Sequence, residues 1–172
     1  QIDAAAAGTV VGTYWFLMLV GRLFGGALGG KISSKAMMLF VTTLGLVLVL
    51  GAIVCPMNLT VNMPVFKSDI SFGLIKVPVS IMLLILCGLC TSVMWGGIFN
   101  LAVAGLGKYT EAASGFFMVM VCGGGLLPLL QGSVADWFGY MSSYWVVVAA
   151  IVYMLYYALY GCKNVNKDIP VE

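Results

Sequence analysis

Apolar residues dominate five long runs of this chain, at 9–30, 36–54, 78–106, 112–135 and 140–161, and nearly every charged residue falls between or beyond them. A helix rising 1.5 Å per residue needs about 20 such residues to cross the hydrocarbon core of a bilayer, so the pattern predicts five membrane-spanning helices. The links 31–35, 107–111 and 136–139 are short, which makes the helices they join antiparallel neighbours. The stretch 55–77 interrupts the pattern with Pro56, Asn58, Asn62, Pro64, Lys67, Asp69 and Lys76. Such residues do not lie unpaired in hydrocarbon, and an exposed external loop is expected there. Its Asn58-Leu59-Thr60 sequon is too short a pattern to carry weight. Residues 162–172 form a polar tail. The fold class expected is all-α, a polytopic helical bundle occupying residues 1–172.

Composition narrows this further. Of 172 residues, 62% are hydrophobic and 8% charged, with a mean hydropathy of +1.10, whereas a soluble domain carries roughly 25% charged residues. A water-soluble globule is excluded. The net charge is +2, with no cluster of Lys or Arg, which argues against nucleic acid as a partner and leaves the lipid bilayer as the surroundings. Histidine is absent, which removes imidazole bases, proton shuttles and histidine metal ligands. No membrane carboxylate pair and no serine with a visible base takes their place. No catalytic residue, metal site or cofactor is expected, and the chain does not read as an enzyme. Five cysteines are an odd set, and Cys87-Gly88-Leu89-Cys90 lies deep in an apolar run, where thiols pack as small hydrophobes.

Positive charge sets the orientation. Lys31, Lys35, Lys108, Lys163 and Lys167 gather on one side and Lys67 and Lys76 on the other, which places the C-terminus in the cytoplasm and Gln1 outside. Tyr and Trp residues near the ends of the runs suit interfacial anchoring. The opening Gln1-Ile2-Asp3, without Met or a signal-peptide pattern, is expected to continue a larger protein.

A few residues inside the runs carry more information. Gly21, Gly25 and Gly29 recur every fourth residue, a face that lets another helix approach closely, either as fixed packing or as a sliding surface. Gly123, Gly124 and Gly125 followed by Pro128 favour a bend in the fourth helix, a moving wall in a transporter and a kink in a static bundle. Arg22 is the one charge well inside a run, where it costs at least about 2.5 kcal/mol unless it reaches water or a partner. It is read as a gate or clamp holding carbonyls or an acid from another helix, with direct substrate contact as the alternative. Ser92, Trp95, Gly96 and Phe99 share one face of the third helix with Asn100 at its edge, and Gly124, Pro128 and Gln131 share a face of the fourth. Trp offers a platform on which a sugar ring stacks, and Asn and Gln offer paired donors and acceptors. Interhelical hydrogen bonding explains the same residues without a ligand. Asp3, Asp69, Glu111, Asp136, Asp168 and Glu172 all fall in links or tails, so the runs hold no carboxylate to carry a proton.

Several segments together resemble the major facilitator superfamily, within it the fucose permease-like group of bacterial monosaccharide:proton symporters. They are Val20-Gly21-Arg22-Leu23-Phe24-Gly25-Gly26, the stretch from Ile98-Phe99-Asn100 through Gly105-Leu106-Gly107-Lys108-Tyr109-Thr110, Ser114-Gly115-Phe116-Phe117 leading to Gly123-Gly124-Gly125, and Gly132-Ser133-Val134-Ala135-Asp136. Their order is similar to the eighth to twelfth helices of that family and covers essentially the whole chain. The resemblance implies a partial major facilitator fold, the C-terminal bundle of a twelve-helix symporter in the bacterial inner membrane. Its implied partners are a monosaccharide of the fucose, glucose or galactose type and a proton, the proton-linked acids belonging to the absent N-terminal half. Trp95, Asn100 and Gln131 are the implied sugar contacts, with Arg22, Gly124 and Pro128 in gating or structural roles. Gly96 stands where the family usually has Pro, and the link through Lys31 and Lys35 lacks the Asp of the superfamily's cytoplasmic loop. The rival reading is a non-transporting membrane scaffold that assembles through its glycine faces.

Overall fold

The computed structural model describes residues 4–66 and 72–163. Asp3, Lys67, Asp69, Lys167, Asp168 and Glu172, with most of the expected tail, lie outside the described residues. Helices α1 (Ala4–Gly29), α2 (Ser34–Val54), α3 (Val79–Val103), α4 (Thr110–Met120), α5 (Gly123–Phe138) and α6 (Tyr140–Tyr156) build the bundle. A 3₁₀ turn at Gly107–Tyr109 precedes α4, and a π-helical turn at Tyr157–Gly161 extends α6. Among the described residues, five helical segments are long and apolar enough to cross a membrane, α4 and α5 together making up the fourth. Large apolar side chains such as Phe40, Val47, Leu129 and Trp137 stand exposed on the outside, the surface a bundle presents to lipid. The structure is an all-α membrane bundle with one addition.

The addition is the segment expected as a loop. It folds into an antiparallel hairpin of β1 (Thr60–Phe66) and β2 (Phe72–Pro78), paired from Thr60 with Pro78 to Phe66 with Phe72. Alternation explains it: Met63 and Val65 point inward while Asn62 and Pro64 point out, so the polar and proline residues occupy the face that needs no burial. Met63, Val65 and Val77 pack with Ile85 of α3 and with Val10, Tyr14 and Leu17 of α1. The Phe66 N–H, which faces away from β2's ladder, donates to Thr13 Oγ1 at 2.9 Å, and the Phe66 ring stacks on Phe16 at 4.8 Å. An unpaired strand edge in an apolar setting is costly, and Thr13 removes that cost at this position.

Helix α3 is the centre of the bundle, packed on α1 along one side and α2 along the other, with α6 closing on α2. Its contact with α1 depends on small residues. A Cβ at Gly21 would stand 2.9 Å from the Leu89 carbonyl oxygen, one at Gly25 2.9 Å from Val93, and one at Gly88 3.0 Å from Tyr14. On the α2 side Met38, Val41, Cys90 and Met94 form one buried cluster and Val49, Cys87, Val148 and Ile151 another. Cys87 and Cys90 thus pack as buried free thiols.

The fourth segment breaks at Val121 and Cys122, just ahead of the glycine triplet expected to bend it. The amides of Val121, Cys122, Gly124 and Gly125 each bond to the carbonyl three residues back, a local tightening into 3₁₀ geometry. The glycines themselves open α5, and Pro128 lies inside it. No residue of α4 or α5 is buried; α5 leans on α6 and α4 touches α3. Gly139 alone joins α5 to α6 at φ +89°, a conformation side chains rarely adopt.

Two outcomes test this packing. Gly21→Leu should weaken the α1–α3 contact by about 1–3 kcal/mol, read as a lower melting temperature in detergent, while Gly29→Leu, at a site with nothing within 4 Å of its Cβ, should leave it unchanged. Thr13→Val removes the acceptor for the Phe66 amide at a net loss of about 1 kcal/mol, which hydrogen exchange should report as roughly fivefold faster exchange at Phe66.

Candidate functional site

The end of the bundle away from the hairpin holds a polar cavity of about 540 Å³ between the last turns of α1, the first of α2 and the second half of α3. The glycine repeat makes it. Where Gly21 and Gly25 press against α3, Gly26 and Gly29 meet nothing within 4 Å, so the same spacing that closes the seam leaves room beyond it. Arg22 enters this space from α1, and Ser92, Trp95, Gly96 and Asn100 enter it from α3.

The polar groups there are largely unspent. Ser92 is 4% exposed, and its hydroxyl is buried without a hydrogen-bond partner. A helical serine commonly gives its proton to the carbonyl one turn back; for Ser92 that is Gly88, whose oxygen already accepts from Thr91 at 3.1 Å. Among the described residues, Arg22 makes no ion pair and neither Arg22 nor Asn100 makes a hydrogen bond. The carbonyl or acid clamp expected for Arg22 is therefore not formed within them. Arg22 is exposed along the cavity, which gives the guanidinium a route to water or to a counter-charge. Trp95 is 44% exposed and is held edge-on by Phe117 of α4 at 5.4 Å, with Phe99 meeting the same Phe117 ring at 5.4 Å. One face of the indole is thus fixed while part of its surface stays open.

Gln131 lies elsewhere. It lines a second cavity of about 530 Å³ toward the hairpin end, together with Tyr14, Thr91 and Tyr144. The structure brings Trp95 and Asn100 together with Arg22 and separates Gln131 from them, because α5 leans on α6 and presents Gln131 near the start of that helix, beyond the midpoint of α3. Gly124 and Pro128 are exposed and line neither cavity. An apolar cavity of about 430 Å³ lies along α3 between the two regions, sharing Thr91 with the Gln131 cavity and Trp95 with the Arg22 cavity.

Tyr14, Tyr144 and Phe117 were not singled out by the sequence as site residues. The tyrosines read as interfacial anchors, yet Tyr14 sits seven residues before Gly21, two helical turns along the face that meets α3, and that spacing marks it as inward-facing. Among the described residues no group of three His, Cys, Asp or Glu side chains could hold a metal ion.

No family model matches the chain, and no solved structure does. Curated proteins do. A glucose/galactose transporter of Brucella abortus is 36% identical over 77 residues, 45% of this chain and 19% of that protein. A protein of Helicobacter pylori provisionally named as a glucose/galactose transporter is 29% identical over 169 residues, 95% of this chain and 37% of that protein, and its counterpart in a second strain is 28% identical over the same length. The chain spans between about a fifth and somewhat over a third of the curated relatives it matches. These relatives are named as transporters rather than enzymes, and through them this multi-pass membrane chain is similar, over nearly its whole length, to proteins named for carrying glucose and galactose.

Proposed function

We propose that the chain is the C-terminal bundle, equivalent to helices eight to twelve, of a fucose permease-like symporter of the major facilitator superfamily that brings a glucose- or galactose-type monosaccharide into a bacterium with a proton. Its five spans, at about 9–30, 36–54, 78–106, 112–135 and 140–161, cross the inner membrane with the hairpin outside and the C-terminus in the cytoplasm, as the lysines at the opposite end favour. The proton-carrying acids belong to the other half of the transporter, since Glu111 and Asp136 lie at the ends of the fourth helical segment and the charge deep within a described span is that of Arg22.

The observation that carries this reading is the Arg22 cavity, where a part-exposed indole and an amide with no hydrogen-bond partner among the described residues stand together on α3. A hexose presents an apolar C–H face and a rim of hydroxyls. Trp95 matches the first by stacking and Asn100 the second by donating and accepting together. Gln131 belongs to the same path at the other end of α3, and Gly124 and Pro128 act by letting α4 and α5 bend against each other as access alternates.

Uptake of radiolabelled galactose by cells expressing the full-length polypeptide tests this. Asn100→Ala should lower kcat/KM about five- to tenfold, the worth of one neutral hydrogen bond near 1 kcal/mol. Trp95→Ala should lower it further, and Trp95→Phe should recover part of the loss, with membrane insertion unchanged throughout. Parental uptake in both alanine variants would remove this cavity from the sugar path, and altered assembly with normal uptake would favour the scaffold reading.

A further inference from the structure

The cavity at the hairpin end has a chemistry different from the one assigned to the sugar above. No formal charge lines it; its wall is aliphatic apart from the Cys87 thiol and from Tyr14, Thr91, Gln131 and Tyr144, the last four coming from four different helices. Their hydrogen bonds can be counted. Thr91 Oγ1 lies 3.1 Å from both the Gly88 carbonyl oxygen and the Tyr14 hydroxyl; with its single proton on the carbonyl, the phenol is the donor in the second contact. The Tyr14 oxygen is left as an acceptor held in a fixed position. The Gln131 amide and the Tyr144 hydroxyl make no hydrogen bond among the described residues, and neither is sealed away from the cavity as the Ser92 hydroxyl is. Between them the three groups offer donors and acceptors, two aromatic rings and no charge, in a space of about 530 Å³.

We propose that this cavity is a second, entry-side binding site for a neutral polyhydroxylated ligand, occupied by the sugar before it reaches Trp95. Uncharged mixed donors and acceptors on an apolar wall suit hydroxyl groups and disfavour ions, whose desolvation nothing there offsets. The apolar cavity lined by Thr91, Trp95 and Phe117 lies along α3 between the two sites, sharing Thr91 with one and Trp95 with the other, and offers the sugar a route along one helix. The identity of the ligand rests on the sugar-transport reading; the site itself rests on Tyr14, Gln131 and Tyr144.

The test uses the full-length polypeptide in membrane vesicles of both orientations, with Leu84→Cys as a probe on the aliphatic wall of this cavity and Cys55, Cys87, Cys122 and Cys162 replaced by Ala, Cys87 because its thiol lines the same cavity. Labelling by a membrane-impermeant maleimide is read as the increment over the same protein without Leu84→Cys, and galactose uptake is measured in the same vesicles. The expected result is labelling from the hairpin side only, slowed at least fivefold by saturating galactose. That protection should be lost in Gln131→Leu and weakened about tenfold in Tyr14→Phe, while labelling without sugar is unaltered. Uptake with no labelling would mean that another segment of the protein fills the cavity, and uptake with labelling that galactose does not slow would mean that the sugar bypasses it; either overturns the proposal and leaves the transport reading standing. Protection without uptake would uphold the site and overturn transport. Neither protection nor uptake would overturn both.

Discussion

The close approach of α1 and α3 is the constraint on which the rest of the molecule depends. Without a hydrophobic incentive between helices in lipid, association relies on dispersion contacts at short range, and Gly21, Gly25 and Gly88 supply that range by leaving no Cβ in the way. Because the seam is tight along one stretch only, the parts of α1 on either side diverge in character. Toward the hairpin, Tyr14 lies over Gly88 and holds Thr91; away from it, Gly26 and Gly29 leave a void that Arg22 shares. Both polar cavities are by-products of one packing solution, and α3 is the element common to them.

The placement of polar groups follows from the same geometry. Thr91 and Ser92 are adjacent in sequence but differ by about 100° around the helix, so one hydroxyl meets Tyr14 while the other is pressed against Gly21 with no partner. The single acceptor within reach of both, the Gly88 carbonyl, serves Thr91. An unsatisfied buried hydroxyl is a standing cost of about 1–3 kcal/mol, and it is borne at the midpoint of α3, where the two cavities come nearest one another.

Much of the architecture was legible because the solvent imposes it. Apolar runs of spanning length must be helical to satisfy their own backbone, and the links between them are too short for anything but antiparallel return. Other features were hidden by residue type. Pro64 and Asn62 read as loop residues because proline and asparagine are uncommon in strands, yet both fall on the outward positions of β1, and only the alternation of Val61, Met63 and Val65 gave the strand away. The glycine triplet and Pro128 marked a weak place in the fourth segment but not its position, since the turn tightens before the glycines rather than at them. The candidate site divided in a similar manner: a helical wheel fixes which residues share a face, so Trp95 and Asn100 stayed together, but it does not fix which neighbour that face meets. Gln131 depended on where α5 comes to rest, a tertiary fact.

The hairpin has a mechanical consequence. α1 and α3 run side by side, and β1 and β2 bind both of them near one end through the Thr13 hydrogen bond, the Phe16 stack and the packing of Val65 and Val77, with nothing comparable at the other among the described residues. Sixteen residues separate Thr13 from Gly29, about 24 Å of helix at 1.5 Å per residue. Held at the hairpin and again along the Gly21 and Gly25 seam, α1 keeps room to move over its last turn, Gly26 to Gly29, about 6 Å of helix, so a shift there reshapes the Arg22 cavity while the hinge and the seam stay in place.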